Sequence, residues 1–286
     1  MLFKGRRQSD NVEDRRGSSG MRTGVIGGGI GTIVLVILGL IFNVDLSGLL
    51  PESGQGDQSA GTEEVQLTPE QQTMTEFVSV VLADTEDVWK KIFSESGLTY
   101  REPKLVLFSS GVSSACGFAQ SATGPFYCPG DEKVYLDLDY LQLLQRKLGA
   151  NGDFAVAYII AHEVGHHVQK LLGTMDKVHQ YQADARSQDV VNEYTVRLEL
   201  QADFLAGVFI HWGPKQNNYL ESGDLDEALN AASAVGDDRI QMKTQGYVVP
   251  DSFTHGTSEQ RKSWLKKGMD TGDYSRGNTF SRDVIL

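Results

Sequence analysis

The sequence predicts an α+β fold, mostly helical with a few short strands, preceded by one N-terminal transmembrane helix. Three observations carry that expectation. Several stretches of 12 residues or more keep helical apolar spacing, whereas only KLVLF (104–108) and KVYLDL (133–138) read as strands. Helices and strands are segregated along the chain, which favours α+β over alternating parallel α/β units. The run VIGGGIGTIVLVILGLIF at 25–42 carries no charge and reaches the ~18 residues that mark a membrane-span candidate.

Taken in order, residues 1–22 are polar, charged and Gly/Ser-bearing, and predict a disordered cytoplasmic tail. Residues 23–42 predict a retained signal anchor. The following NVDLSGLLPESG shows no small-residue cleavage pattern and offers no Cys for lipid attachment. Lys4, Arg6, Arg7, Arg15, Arg16 and Arg22 precede the span and acidic sequence follows it. That asymmetry predicts a single pass in the inner (cytoplasmic) membrane, N-terminus in the cytoplasm, with the main domain periplasmic or extracytoplasmic. Residues 43–67 have linker composition, and the folded domain is expected over 68–286.

Thr68-Pro69-Glu70 opens a long helix through Phe93, with a capping hydroxyl, proline in the first turn and an acid beside it. Its candidate core positions are Phe77, Val81, Val88 and Ile92. The Gly- and Ser-dense stretch at 109–132 predicts a loop or irregular hairpin. It holds both cysteines, Cys116 and Cys128, twelve positions apart. On an oxidising side of the membrane such a pair predicts a disulfide. KVYLDL alternates like a half-buried strand and is a candidate edge for an added peptide strand. Asp139 is expected to cap a helix, YLQLLQRKL, ending at Gly149. Further helices are expected from about Asp153 to Gly173, within Met175–Gln188, from Val190 to His211 with a stop at Gly213-Pro214, and over Leu225–Gln241. Thr257-x-x-Gln260 is a capping box for the last one.

The whole chain has a formal charge of −12, and the part after the basic tail is more acidic still. Phosphate binding needs a basic face, so nucleic acid is excluded as a partner.

The chemistry-bearing stretch is AVAYIIAHEVGHHVQKLL (155–172). Residues four apart on a helix lie about 40° apart around the axis, so His162 and His166 present two imidazoles to one point. Glu163, about 100° away, is expected beside a metal rather than on it, as a general base for an activated water. Gly165 at mid-helix predicts close approach of another helix. His167 cannot face the same metal without distorting the helix. Downstream, Glu199 and Asp203 sit four apart on a helix apolar nearly all round, and buried carboxylates require cations or donors. Glu199 is the expected third ligand and Asp203 the acceptor for a ligating imidazole, although the reverse assignment also fits. His255, in Phe253-Thr254-His255-Gly256-Thr257, serves either packing and capping or an oxyanion donor role. His179 and His211 read as surface groups.

HEVGHHVQ, ELQADFLAG, the N-terminal GRRQSDNVEDRR, the anchor segment and the late THGTSEQR together resemble the bacterial neutral zinc metallopeptidases of the YpfJ type. The resemblance spans nearly the whole chain. It implies a zincin-like domain, one Zn2+ per chain and hydrolysis of peptide bonds in a peptide or protein substrate. The Glu-plus-Asp helix also resembles gluzincins, where the first acid binds zinc. The expected function is a membrane-anchored zinc metalloendopeptidase of the HExxH type. The alternatives are a non-catalytic zinc-stabilised binding module at the membrane and hydrolysis of another amide, such as a cell-wall peptide.

Overall fold

A computed structural model describes residues 1–16, 67–141, 152–281 and 283–284. The expected anchor at 23–42, the linker and most of the helix expected from Tyr140 lie outside the described residues. Among the described residues no helix is long and apolar enough to cross a membrane.

The architecture is a mostly helical α+β fold. Strand β1 is Val12–Asp14 and helix α1 is Pro69–Glu95. Strands β2 to β6 are Lys104–Phe108, Gly111–Ser114, Gly117–Gln120, Phe126–Cys128 and Lys133–Asp137. Helices α2 to α7 are Phe154–Leu171, Thr174–Ala183, Gln188–Asn217, Asp224–Ala234, Asp237–Gln245 and Ser258–Thr271. One sheet runs β1-β2-β6-β5, with β1, β2 and β6 parallel and β5 antiparallel to β6. β3 and β4 form a separate antiparallel hairpin, joined to the end of β5 by the Cys116–Cys128 disulfide.

Local signals set several boundaries as expected. Thr68 and Thr257 each complete a reciprocal capping box, with Gln71 and Gln260. Phe77, Val81, Val88 and Ile92 are buried in the main core. α2 ends at Leu171 with Leu172 as its C-cap, and Gly173 takes φ 74°, the left-handed conformation that closes a helix.

Six expectations need correction. Residues 1–16 are not a separate tail: β1 adds to the sheet beside β2, with Val12 paired to Leu105. KVYLDL supplies no edge, because β6 lies between β2 and β5. Asp137, not Asp139, caps the helix that follows β6; its Oδ1 accepts the backbone N–H groups of Asp139 and Tyr140. The Glu199 helix does not stop at Gly213-Pro214 but continues to Asn217. Proline there forfeits one backbone bond, while Trp212 Nε1 donates to Gly272 O at 2.8 Å and His211 Nδ1 donates to Met269 O at 2.6 Å. These contacts hold that turn against the end of α7, and they make His211 a packed group rather than a surface one. Finally, the expected helix over 225–241 is two helices, α5 and α6, broken at Val235-Gly236.

α2 and α4 cross at Gly165, where an added Cβ would stand 2.9 Å from Ala202 O and 3.3 Å from Ala202 Cα. α4 and α7 cross still more closely. A Cβ on Gly207 would meet Leu265 O at 2.1 Å, and one on Gly268 would meet Phe204 O at 2.0 Å. These glycines let three helices share one buried seam, and the polar side chains of the site lie along it.

Candidate metal centre

His162 and His166 project from α2 with their ring centres 4.8 Å apart. Glu199 on α4 meets both: its Oε2 is 3.1 Å from His162 Nε2, and its Oε1 is 3.3 Å from His166 Nε2. Ligand atoms held 2.0–2.1 Å from a tetrahedral zinc stand about 3.3 Å apart. The three groups therefore fit that ion, and they form one of the two clusters among the described residues with metal-ligand spacing. The other, Asp153, Asp224 and Glu227, is engaged differently: Asp153 and Asp224 pair with the Met1 ammonium.

The far nitrogen of each imidazole is committed. His162 Nδ1 donates to Asp203 Oδ1 at 2.8 Å, because a carboxylate there can only accept. His166 Nδ1 donates to Gln169 Oε1 at 2.9 Å, and Gln169 is turned that way by donating its amide to Leu198 O at 2.7 Å. Both tautomers thus leave Nε2 for a metal, the arrangement that orients ligating histidines.

Asp203 is fully buried and both its oxygens are used. Arg261 on α7 donates Nε to Oδ2 at 2.9 Å and Nη2 to Oδ1 at 3.1 Å, and Tyr158 OH donates to Oδ1 at 2.6 Å. Asp203 sits behind His162, on the side away from Glu199.

Burial works against charge on all of these groups, and their neighbours decide the balance. Burial would lower His162, but Asp203 and Glu199 outweigh it and raise its pKa to about 10. His166 is likewise raised by Glu199 against burial. Burial would raise Glu199, yet His166 and His162 hold it well below the usual carboxylate range. Glu163 moves the other way: burial raises it, with His162 and His166 only partly offsetting. Among the described residues Glu199 has ion-pair contacts with these two imidazoles only. Neutral ligating imidazoles would leave it without a counter-charge, and a divalent cation supplies one.

His255 lies at the margin with its side chain 45% exposed. Its Nδ1 is 3.2 Å from Asp237 Oδ1, while Asp237 Oδ2 accepts the backbone N–H groups of Thr254, His255 and Gly256. Desolvation opposes charge on the imidazole, but Asp237 and Glu199 raise its pKa. His167 stands apart from the cluster, bonded to Tyr127 OH at 3.0 Å and Arg101 O at 2.6 Å. His179 is exposed.

Sequence reasoning missed Tyr158, Gln169, Arg261 and Asp237. A signal existed for two of them. Tyr158 lies four residues before His162 and Gln169 three after His166, on the metal-facing side of one helix. Arg261 and Asp237 looked like ordinary helix-surface charges, and only the folded chain brings them in.

Comparison with known proteins agrees with this chemistry. A family model described as "Putative neutral zinc metallopeptidase" matches residues 1–280. The protein YpfJ of Escherichia coli (strain K12) is 50% identical over 292 residues, covering 99% of this chain and 100% of that protein. The protein Rv2575 of Mycobacterium tuberculosis (strain ATCC 25618 / H37Rv) is 43% identical over 204 residues, covering 68% of this chain and 66% of that one. No solved structure matches. The chain belongs to the neutral zinc metallopeptidase family.

Proposed function

We propose that this chain is a zinc-dependent endopeptidase with one zinc held by His162, His166 and Glu199, and Glu163 as its general base. The convergence of two Nε2 atoms on one carboxylate, 3.1 and 3.3 Å away, carries the reading. When bound, zinc supplies Lewis acidity, polarising a scissile carbonyl and bringing the pKa of a bound water to about 7.

The protein's own groups do the rest. Glu163, buried at 8% exposure with a raised pKa, accepts a proton from the attacking water and passes it to the leaving amine. Asp203 and Gln169 keep both imidazoles in the tautomer that leaves Nε2 for the metal. His255, oriented by Asp237, donates to the developing oxyanion. Peptides or proteins are the substrates that the family's activity implies.

The alternative, a zinc-stabilised binding module, has no use for Glu163. Zinc content and peptide cleavage of the purified protein separate the two. His162→Ala with His166→Ala should abolish zinc. Glu163→Gln should retain zinc yet lower turnover by at least ~10²-fold, the lower end of what general acid–base catalysis contributes. A Glu163→Gln variant that cleaves peptides at the wild-type rate sinks the mechanism.

A further inference from the structure

The N-terminal segment is fixed to the domain along its whole described length. Leu2 N donates to Tyr219 O at 2.8 Å, and Phe3 packs edge-on against Phe77. Arg6 Nη2 binds Asp84 Oδ1 at 2.5 Å, and its guanidinium lies over the Tyr219 ring. Arg7 binds Glu86 at 3.1 Å and Asp87 at 2.8 Å, and Asn11 Nδ2 donates to Glu86 Oε1 at 2.9 Å. β1 then pairs in register with β2, flanked by Leu105 N to Asn11 O at 2.9 Å and Arg15 N to Leu107 O at 2.8 Å. Glu13 joins Lys104 and Lys133 at 3.0 Å.

Two of these partners are informative. Asp84 and Glu86 are 3% and 2% exposed on α1, and their cations come from residues 6 and 7. Buried carboxylates without a cation cost several kcal/mol each. α1 is thus built to receive this segment.

The same arginines make up most of the charge asymmetry that predicts a cytoplasmic N-terminus and an external domain. Arg6, Arg7, Arg15 and Arg16 are all engaged in ion pairs, with Asp84, Glu86 and Asp87, Glu13, and Asp14. They are ion-paired parts of a fold before they are a membrane-flanking charge bias. A single crossing between residues 16 and 67 would put β1 and β2 on opposite faces of roughly 30 Å of hydrocarbon. Strands of one sheet stand about 4.8 Å apart.

We infer that residues 1–16 and the metallopeptidase domain lie on the same side of the membrane, which the single-pass anchor expected at 23–42 does not allow.

The test uses the full-length protein expressed in bacterial cells. Lys4→Cys and Lys243→Cys are made separately; both lysines are exposed, one in the N-terminal segment and one on α6. The parent protein, treated in parallel, measures any labelling of Cys116 and Cys128, which is subtracted from each variant. Intact cells receive a membrane-impermeant maleimide before or after permeabilisation. The expected result is one pattern for both positions: both labelled in intact cells, or both only after permeabilisation. Labelling of one position in intact cells and of the other only after permeabilisation overturns the inference. It would leave the zinc site untouched, since that site is tested by metal content and cleavage.

Discussion

Two buried aspartates show how differently one fold treats the same side chain. Asp84 on α1 is 3% exposed and Asp203 on α4 is fully buried, and each meets an arginine from a distant part of the chain. Burial alone would raise both pKa values. Asp84 is raised by burial to about 6, because Arg6 and Asn217, which both reach Oδ1, only partly offset it. Its Oδ2 finds no hydrogen-bond partner among the described residues. Asp203 instead falls to about 2, since Arg261 spans both its oxygens while Tyr158 and His162 share one. A buried carboxylate is therefore not in itself the mark of a site. The mark is a carboxylate fully satisfied on one side so that it can fix a neighbour, His162, whose other nitrogen is left unspent.

The sharpest way to break that contrast is to remove each arginine. Arg261→Met strands a buried charge, and losing one partner of a buried pair typically costs about 3–5 kcal/mol. Arg6→Met should cost less than half of that, because Arg6 is 18% exposed and Asp84 can protonate near pH 6. Urea midpoints at pH 7 measure both. Equal losses would mean that the two pairs are energetically alike and the contrast is illusory.

The pH dependence sharpens it next. Asp84 binds its proton more tightly folded than unfolded, near 6 against 3.8, so its penalty is absent below pH 4 and complete above pH 6. About two pKa units correspond to roughly 3 kcal/mol. Asp84→Asn should therefore stabilise the protein at pH 7 relative to pH 5. Asp203 has the opposite sign, contributing stability above 3.8 that is lost as the pH falls toward 2. If the unfolding midpoint of Asp84→Asn follows wild type across pH 4–7, Asp84 does not titrate as its surroundings imply.

A smaller effect separates positioning from ligation. Asp203→Asn and Gln169→Leu each remove the group that fixes one imidazole. Each should weaken zinc by roughly 10–100-fold, as losses of such supporting contacts do. Competition with a zinc chelator reads this directly. A loss of zinc by Asp203→Asn as complete as that of His162→Ala would mean that Asp203 is itself a ligand.

The sequence made legible what one element encodes. His162, Glu163 and His166 are a spacing within one helix, and the boxes at Thr68 and Thr257 close within four residues. Glu199 and Asp203 could be paired with that helix because an apolar surround makes lone carboxylates costly. What stayed hidden depends on partners far away in the chain. GRRQSDNVEDRR has the composition of a disordered tail, and nothing local says that Asp84 and Glu86 await it. Nor does Arg261, in the polar SEQRKSW, announce that glycines at 207 and 268 bring its helix against Asp203. The Pro214 boundary failed for the same reason, since contacts between α4 and α7 outweigh one lost backbone bond.

The last expectation concerns Asp237, which carries the comparison to the margin of the site. Its Oδ2 takes three backbone N–H groups and its Oδ1 faces His255, an arrangement closer to Asp203 than to Asp84. Desolvation would lower the His255 pKa, but Asp237 and Glu199 raise it against the opposing charge of Arg261. A histidine with a raised pKa keeps its proton to higher pH than a free imidazole and loses it as the pH climbs through the folded value. Donation from His255 to an oxyanion should thus disappear on the alkaline side of the activity profile. Asp237→Asn keeps an oxygen acceptor for the loop but removes the charge that holds the proton. The alkaline limb of kcat/KM should move to lower pH, while zinc content and the rate on the acid side stay close to wild type. His255→Ala should remove the limb that Asp237→Asn moves. If the limb stands at the same pH in all three proteins, some other group sets it, and His255 is only a packing residue at the margin of the site.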